Sequence, residues 1–312
     1  MLKIEEVPEP VPKENEVLIK VQAASINFAN PALVRGKPFI IRMMVGGLTK
    51  PRYNIPGSDM AGTVESVGPN VTKFKPGDEV YGDLSSSGFG TYAEYAVAPV
   101  KMLAKKPSNL SFEEASAVPQ SGLVALQGLR KGKIKKGQKV LIVGASAGNG
   151  TFAVQIAKAY ETEVTGVCST RNIDLVRSIG ADKVIDYTKE DFTESKERYD
   201  LIFATAGYRS ILDYKKALKP GGIYVMAGGK MSQVYQAMMG PLFAIGSGKT
   251  LTNLSQHQDR DDLEYMAELI ESGKVKPVID TVYPLDQVPE ALKYYETGRS
   301  RGKIIISIQT GT

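Results

Sequence analysis

The sequence predicts an α/β protein of two domains, a compact β-barrel and a doubly wound parallel sheet. Three observations carry that expectation. Its 312 residues are enough for two domains that each bury a core. Near residue 112 the texture changes, from short β-like runs broken by Gly, Pro and Asn to strands alternating with helices of about ten residues. No internal repeat or low-complexity linker interrupts the chain, so the tail from about 257 is expected to pack back on the first domain.

In chain order, VLIKVQAASI alternates, GTVESVG follows a Pro-Gly turn, KPGDEVYG turns into a strand, and GTYAEYAVAP is a further strand. Short strands at this spacing suit a barrel. SFEEASAV opens like a capped helix, with Ser111 as N-cap and Glu114 three residues on. There follow a strand over 139–144, a helix over 150–160, a strand over 163–168, a helix over 172–180 and the strand KVIDY. After DLIFATAG come a helix ending at LKPGG, the strand IYVMAGG and a Met-rich helix before KTLTNLS. The tail holds a helix (DLEYMAELIESG), a strand, a helix (VPEALKYYETG) and a last strand, KIIISI.

Composition narrows the class. The formal charge is +5, with 39 Lys and Arg scattered among 34 Asp and Glu, so anionic ligands are favoured weakly and nucleic acid is not expected. One cysteine, Cys168, excludes an internal disulfide and suits a reducing compartment. The stretch MLKIEEVPEPVPKENEV has no apolar signal core and is too acidic for a transit peptide, which points to a soluble, cytoplasmic protein. The apolar run VYQAMMGPLFAIG is too short to span a bilayer and is broken by Pro241; it reads as a buried helix or a cleft wall. With one cysteine and one histidine, His257, neither a four-cysteine zinc site nor a Cys/His catalytic zinc site can be assembled, and no metal is expected.

The stretch VLIVGASAGNGTFAVQIAKAY reads two ways. Gly144-Ala145-Ser146-Ala147-Gly148 fits G-x-S-x-G, the nucleophile elbow of serine hydrolases, which needs a later acid and then a histidine. Only His257, in a polar segment that reads as a solvated loop, could serve it. The other reading is a phosphate-cradling turn between a strand and a helix. Ala145, Ala147 and Gly150 fall on the three motif glycines, with Gly144 and Gly148 keeping the loop open. The loop by itself leaves dinucleotide binding and a plain strand-helix crossover both open. The end of the next strand adds weight to the first. NAD binders place Asp or Glu about 20 residues beyond the glycines, where this chain has CSTRN, Cys168 to Asn172. Ser169 and Thr170 can donate to a 2′-phosphate, and Arg171 can pair with it or stack on adenine, so NADPH is favoured over NADH. A helix N-cap in STRN is compatible with that role. LKPGG also occurs in S-adenosylmethionine methyltransferases, but a ribose-binding acid after the second strand is missing and a long β-rich first domain fits that class poorly.

Taken together, the chain resembles the medium-chain dehydrogenases/reductases, in their zinc-free quinone oxidoreductase branch. The resemblance runs from LKIEEVPEPVPKENEVLIKV through SINFANPALVRG, IPGSDMAGTVESVG, FKPGDEVYG, GTYAEYAVAP, VPQSGLVALQGL, the loop above, VCSTRNIDLVRSIGADKVIDYT and LKPGG to GRSRGKIIISI. It implies a GroES-like catalytic domain over 1–115 and 256–312 and a Rossmann domain over 116–255. Zinc members carry a ligand cysteine near Asn27 and Gly-His-Glu where this chain has Gly57-Ser58-Asp59. By the resemblance, Ser146, Ala147, Gly148, Asn149 and Gly150 cradle the pyrophosphate. By the same resemblance Ser169, Arg171 and Tyr187 meet the 2′-phosphate and adenosine and Lys303 lies near the cofactor; Thr170, by its hydroxyl, and Gly207 and Gly228 are counted with them as cofactor-binding candidates. The chain departs from the family pattern at Ala147 and Asn149, at Val124 in place of a threonine and at Asn30 in place of an aspartate; members of the family also begin about a dozen residues earlier, with a first β-strand, so either the start is truncated or the barrel edge is open.

The implied reaction is hydride transfer from NADPH to a quinone or an α,β-unsaturated carbonyl. Charge then develops on an oxygen, so donors aimed there lower the barrier. Asn27, Asn30, Tyr92 and Tyr53 are the candidates; turn and packing roles compete for each. Asp59 reads as a turn-end aspartate or as an orienter behind them. Residues 36–54 and 231–249, rich in Met, aromatics and Gly, are expected to border an apolar substrate pocket. Lys37, Arg42, Lys50 and Arg52 read first as a solvated face; the resemblance adds the alternative of weak peripheral contact with anionic lipid, at the chloroplast envelope in a plant. A monomer or homodimer is expected. The alternatives are a serine hydrolase using Ser146 and a non-catalytic dinucleotide-binding relative.

Overall fold

A computed structural model describes residues 2–36, 53–229 and 231–308. Contacts divide the chain into a first unit, Met1–Ser121 with Gln258–Glu271 and Pro277–Thr312, and a second, Gly122–His257 with Ser272–Lys276.

The chain enters the first unit along β1 (Glu16–Ser25), passes the short helix α1 (Ala29–Arg35), and lays down β2 (Asp59–Val67), β3 (Glu79–Asp83), β4 (Tyr95–Pro99) and β5 (Leu103–Lys105). Helix α2 (Phe112–Ser116) follows, and α3 (Pro119–Lys131) carries the chain from the first unit into the second. β1 pairs with β2 on one edge; on the other its first half takes β4 and its last three residues take β13. Neighbours on both edges and cover on both faces explain why Val17, Leu18 and Ile19 are all buried although the sequence suggested simple alternation. α2 carries the expected capping box, with Ser111 Oγ accepting from Glu114 N and Glu114 bonding back to Ser111 N, a local device worth about 1 kcal/mol.

The second unit alternates β6 (Lys139–Val143), α4 (Gly148–Ala159), β7 (Glu163–Cys168), α5 (Ile173–Ser178), β8 (Lys183–Asp186), β9 (Tyr199–Ala204), α6 (Ile211–Ala217), β10 (Leu218–Met226), α7 (Met231–Met238), α8 (Gly240–Ala244) and β11 (Thr250–Asn253). All six strands are parallel, in the order β11-β10-β9-β6-β7-β8. The order reverses between β6 and β9, the switch point at which such sheets receive ligands beyond their carboxyl ends. Leu141, Val143, Ile202, Ala204, Tyr214 and Tyr224 form part of its core. LKPGG lies inside β10, not at a helix end: α6 stops at Ala217 and the strand register slips between Leu218 and Ile223. α7 and α8 pack on the edge strand β11 and leave Tyr235, Met238, Leu242 and Ile245 exposed. The chain returns to the first unit through α9 (Arg260–Glu271), β12 (Ile279–Pro284), α10 (Val288–Glu296) and β13 (Lys303–Ser307), with Tyr81 donating to Leu263 O at 2.6 Å. Its sheet runs β12-β13-β1-β2-β3-β5, with β4 also on β1. No helix among the described residues is long and apolar enough to cross a membrane.

Candidate active site

The β6–α4 turn of the second unit is built for close approach. Gly144, straight after β6, has φ +83°, a conformation that favours glycine. Its N–H and that of Ala145 both donate to Val167 O. A Cβ at Gly150 would stand 2.0 Å from Gly144 O, so the start of α4 rests directly on the backbone of the turn. Ala147 occupies the N-cap with φ −76° and ψ 166°, and no side chain caps the helix. Its methyl is thus tolerated without strain, and the first amides of α4, Gly148, Asn149 and Gly150, have no carbonyl within the helix to bond. Such a terminus suits a diphosphate. A dinucleotide therefore fits the residues present.

Ser146 does not stand out as a nucleophile. It is nearly buried, and its Oγ accepts from Asn172 Nδ2 at 2.8 Å, while His257 is exposed and its backbone is held at both N and O by Gln127. Ser146→Ala is expected to cost about 1 kcal/mol by removing an acceptor of Asn172, seen as a small drop in melting temperature. It should change no esterase activity, and a serine-dependent esterase would restore the hydrolase reading.

At the ends of β7 and β8, Thr170 is corrected as a phosphate donor because its hydroxyl bonds the Asp186 carboxylate. A carboxylate therefore does stand at this corner, supplied by the next strand. The segment Thr170–Asn172 is a 3₁₀ turn with Ser169 before it and no side-chain cap. Arg171 and Tyr187 are exposed, and the Tyr187 ring lies 5.5 Å from that of Tyr208. Gly207 N donates to Gly228 O at 2.9 Å, and a Cβ at Gly228 would meet Thr205 O at 2.3 Å. This pair closes the loops after β9 and β10 upon each other.

In the first unit, Asn27, Asn30, Ser58, Asp59, Ser25 and Lys303 form a buried polar cluster. Lys303 Nζ donates to Asn27 Oδ1 at 2.6 Å and Ile26 O at 3.1 Å, and stands 3.7 Å from Asp59 Oδ2. The ammonium expected at the cofactor is thus spent on this cluster. Asp59 begins β2 and is not a turn residue; it also accepts from Ser25 Oγ at 3.1 Å and from Gln120 N. Burial pushes its carboxyl up to about 7, against the downward pull of Lys303, while burial pushes Lys303 down. Asn27 Nδ2 donates to Ser58 Oγ at 3.1 Å, so both ends of that amide are used. The Tyr92 hydroxyl donates to Ser25 O at 3.3 Å and burial raises its pKa; this corrects its reading as an available donor. Tyr53 packs 5.4 Å from Phe89. Asn30 differs: its Oδ1 accepts from Asn27 N at 2.6 Å, but its fully buried Nδ2 has no partner among the described residues. Zinc does not fit here, because the donors at 27, 58 and 59 are oxygens and amide already facing an ammonium, without thiolate or imidazole. Lys37, Arg42, Lys50 and Arg52 lie outside the described residues, as do residues 37–52 of the first Met-rich stretch.

The sequence profile described as alcohol dehydrogenase GroES-like domain matches residues 13–108, and that described as zinc-binding dehydrogenase matches 179–306. The chain is 35% identical to a chloroplast envelope quinone oxidoreductase homolog of Arabidopsis thaliana, over 96% of this chain and 92% of that protein. It is 34% identical to an NADPH-dependent alkenal/one oxidoreductase of the same plant, over 98% and 76%, and 36% identical to a 2-methylene-furan-3-one reductase of Solanum lycopersicum, over 98% and 75%. Among solved structures, the quinone oxidoreductase from Coxiella burnetii superposes with a TM-score of 0.86 at 28% identity, over 98% of this chain and 95% of that one.

Proposed function

We propose that this chain, which belongs to the zinc-free quinone oxidoreductase branch of the NAD(P)-dependent medium-chain dehydrogenases/reductases, reduces quinones or α,β-unsaturated carbonyls with NADPH. The observation that carries the proposal is the β6–α4 turn, where Gly144 and Gly150 bring an uncapped helix terminus to the switch point of a six-stranded parallel sheet. Relatives named for quinones, for alkenals and for a 2-methylene-furan-3-one support the substrate class. Those named chloroplastic support that compartment if the source is a plant.

A bound nicotinamide dinucleotide supplies the hydride. The amides of Gly148, Asn149 and Gly150 hold its diphosphate, and Ser169, Arg171 and Tyr187 receive the adenosine end with its 2′-phosphate. Asn30 Nδ2 is the donor left for the oxygen on which negative charge grows, since the groups of Asn27 and Tyr92 are bonded within the protein. Asn27, Lys303 and Asp59 hold Asn30 in place through the Asn27 N–H. No acid in the cluster is placed to be obligatory, so solvent protonates the product.

Three measurements test this. Fluorescence titration should give NADPH an affinity about tenfold or more above NADH, the value of one charge-assisted contact; equal affinities would remove the 2′-phosphate assignment. Asn30→Ala deletes the donor, and should lower kcat about 10²-fold with cofactor affinity unchanged. An unchanged kcat would clear Asn30 of the role. Failure of every quinone and enone in a panel to oxidise NADPH would leave a non-catalytic dinucleotide binder.

A further inference from the structure

We propose that Asp186 is a positioning residue for cofactor choice: by bonding Thr170 and Thr188 it fixes the two strand-end turns that carry Ser169, Arg171 and Tyr187, and so sets the preference for a 2′-phosphorylated dinucleotide. The inference rests on the reading above that this corner of the sheet receives the adenosine half of the cofactor.

Its own grounds are geometric. β7 and β8 are parallel neighbours with Cys168 opposite Asp186, so their turns leave the sheet side by side. Asp186 is buried, 4% exposed. Its Oδ2 accepts from the Thr170 hydroxyl on the β7 turn, and its Oδ1 accepts from Thr188 N at 3.0 Å and Thr188 Oγ1 at 2.7 Å on its own turn. An ionised carboxylate only accepts, and can take all three bonds at once. Tyr187 N donates to Cys168 O at 3.1 Å, a second tie between the same turns. The Thr170 hydroxyl, and after it Thr188, hold the Asp186 carboxyl below its ordinary range, in keeping with a permanent anion at this place. Lys189 Nζ stands 3.8 Å away, which offsets the charge that would otherwise face a phosphate.

Because the anion is spent on hydroxyls and an amide, it is not offered to a ribose. It acts by holding the β7 turn, whose Ser169 and Arg171 must be in place before the 2′-phosphate arrives. A dinucleotide without that phosphate depends on the Gly144–Gly150 turn and gains little from this one.

The test is fluorescence titration of the full chain with NADPH and with NADH, in the parent and in Asp186→Ala, Asp186→Asn, Thr170→Val and Thr170→Ser. Asp186→Ala and Thr170→Val should each lower the NADPH to NADH affinity ratio about tenfold, through weaker NADPH binding. Asp186→Asn and Thr170→Ser, which can still join the two turns, should restore the parent ratio. Should Asp186→Ala fail to fold, Thr170→Val at its exposed position decides. A parent preference for NADPH that survives in Thr170→Val, or an equal loss for both nucleotides, overturns the inference alone. A parent that binds NADH as tightly as NADPH overturns the underlying cofactor reading, and the inference with it.

Discussion

Replacing Lys303 by methionine is expected to destabilise the protein, and increasingly so above neutral pH, because the buried Asp59 carboxyl then loses the cation that favours its ionised form. Asp59 is fully buried, and Lys303 is the group whose charge pulls its carboxyl down while burial and Asp83 push it up. Without the ammonium the folded-state pKa of Asp59 rises beyond about 7. A carboxyl whose folded pKa lies above its unfolded value, about 3.9, contributes stability that is fully present below that unfolded value and is lost as pH rises through the folded one. In the parent that loss levels off above about 7, whereas in Lys303→Met it runs on, so the deficit should stay nearly constant between pH 5 and 6 and grow above about pH 7, at up to about 1.4 kcal/mol per unit. Denaturant unfolding at pH 5, 7 and 8.5 measures this. The double change Asp59→Asn with Lys303→Met removes both charges, so it should recover much of the loss and flatten the slope. A deficit that is the same at all three values would show that Lys303 matters through packing and not as a counter-ion.

Gly150→Ala carries the second large effect. The added methyl would meet Gly144 O at 2.0 Å and the Ala145 Cα and carbonyl carbon at 2.9 Å, all of them backbone atoms of the turn. The helix and the turn must separate, at a cost of about 1–3 kcal/mol or more. They then no longer present the α4 amides to a diphosphate, so affinity for NADPH and NADH should fall together by at least tenfold. Ala147→Gly is the control. Position 147 has an extended backbone, so losing its methyl should leave cofactor affinity within about threefold, less than 1 kcal/mol. Comparable losses in both variants would mean that the turn is merely sensitive to any change and has no specific requirement at Gly150.

The sites of these two changes differ in how far they could be read before folding. The Gly-rich turn is local: a strand, a tight reversal and a helix start occupy consecutive residues, the positive φ of Gly144 is a property of its own backbone, and the sterics that demand glycine at 150 act against Gly144 and Ala145. Ser111 and Glu114 are equally local and form the expected capping box. The polar cluster is not local. Lys303 sits on the last strand and Asp59 on the second, and they meet because β1 lies between β13 and β2 in the sheet. Asp186 was likewise missed as a partner of Thr170, since an acid was sought at the end of β7 and the one that arrives belongs to β8. Tyr92 shows the converse. A tyrosine in a strand-like run offers a hydroxyl on paper, and only packing against β1 assigns that hydroxyl to Ser25 O.

By itself, then, the sequence determined the order of strands and helices and the glycine-rich turn between β6 and α4, since backbone propensity and side-chain period depend on near neighbours. Tertiary structure alone decided which buried polar groups satisfy one another. It paired Asp59 with Lys303, tied Thr170 to Asp186, and left Asn30 Nδ2 as the unpartnered donor among the proposed active-site residues described. Burial makes each such group costly until a partner is found, and that partner is supplied by whichever strand the sheet places alongside.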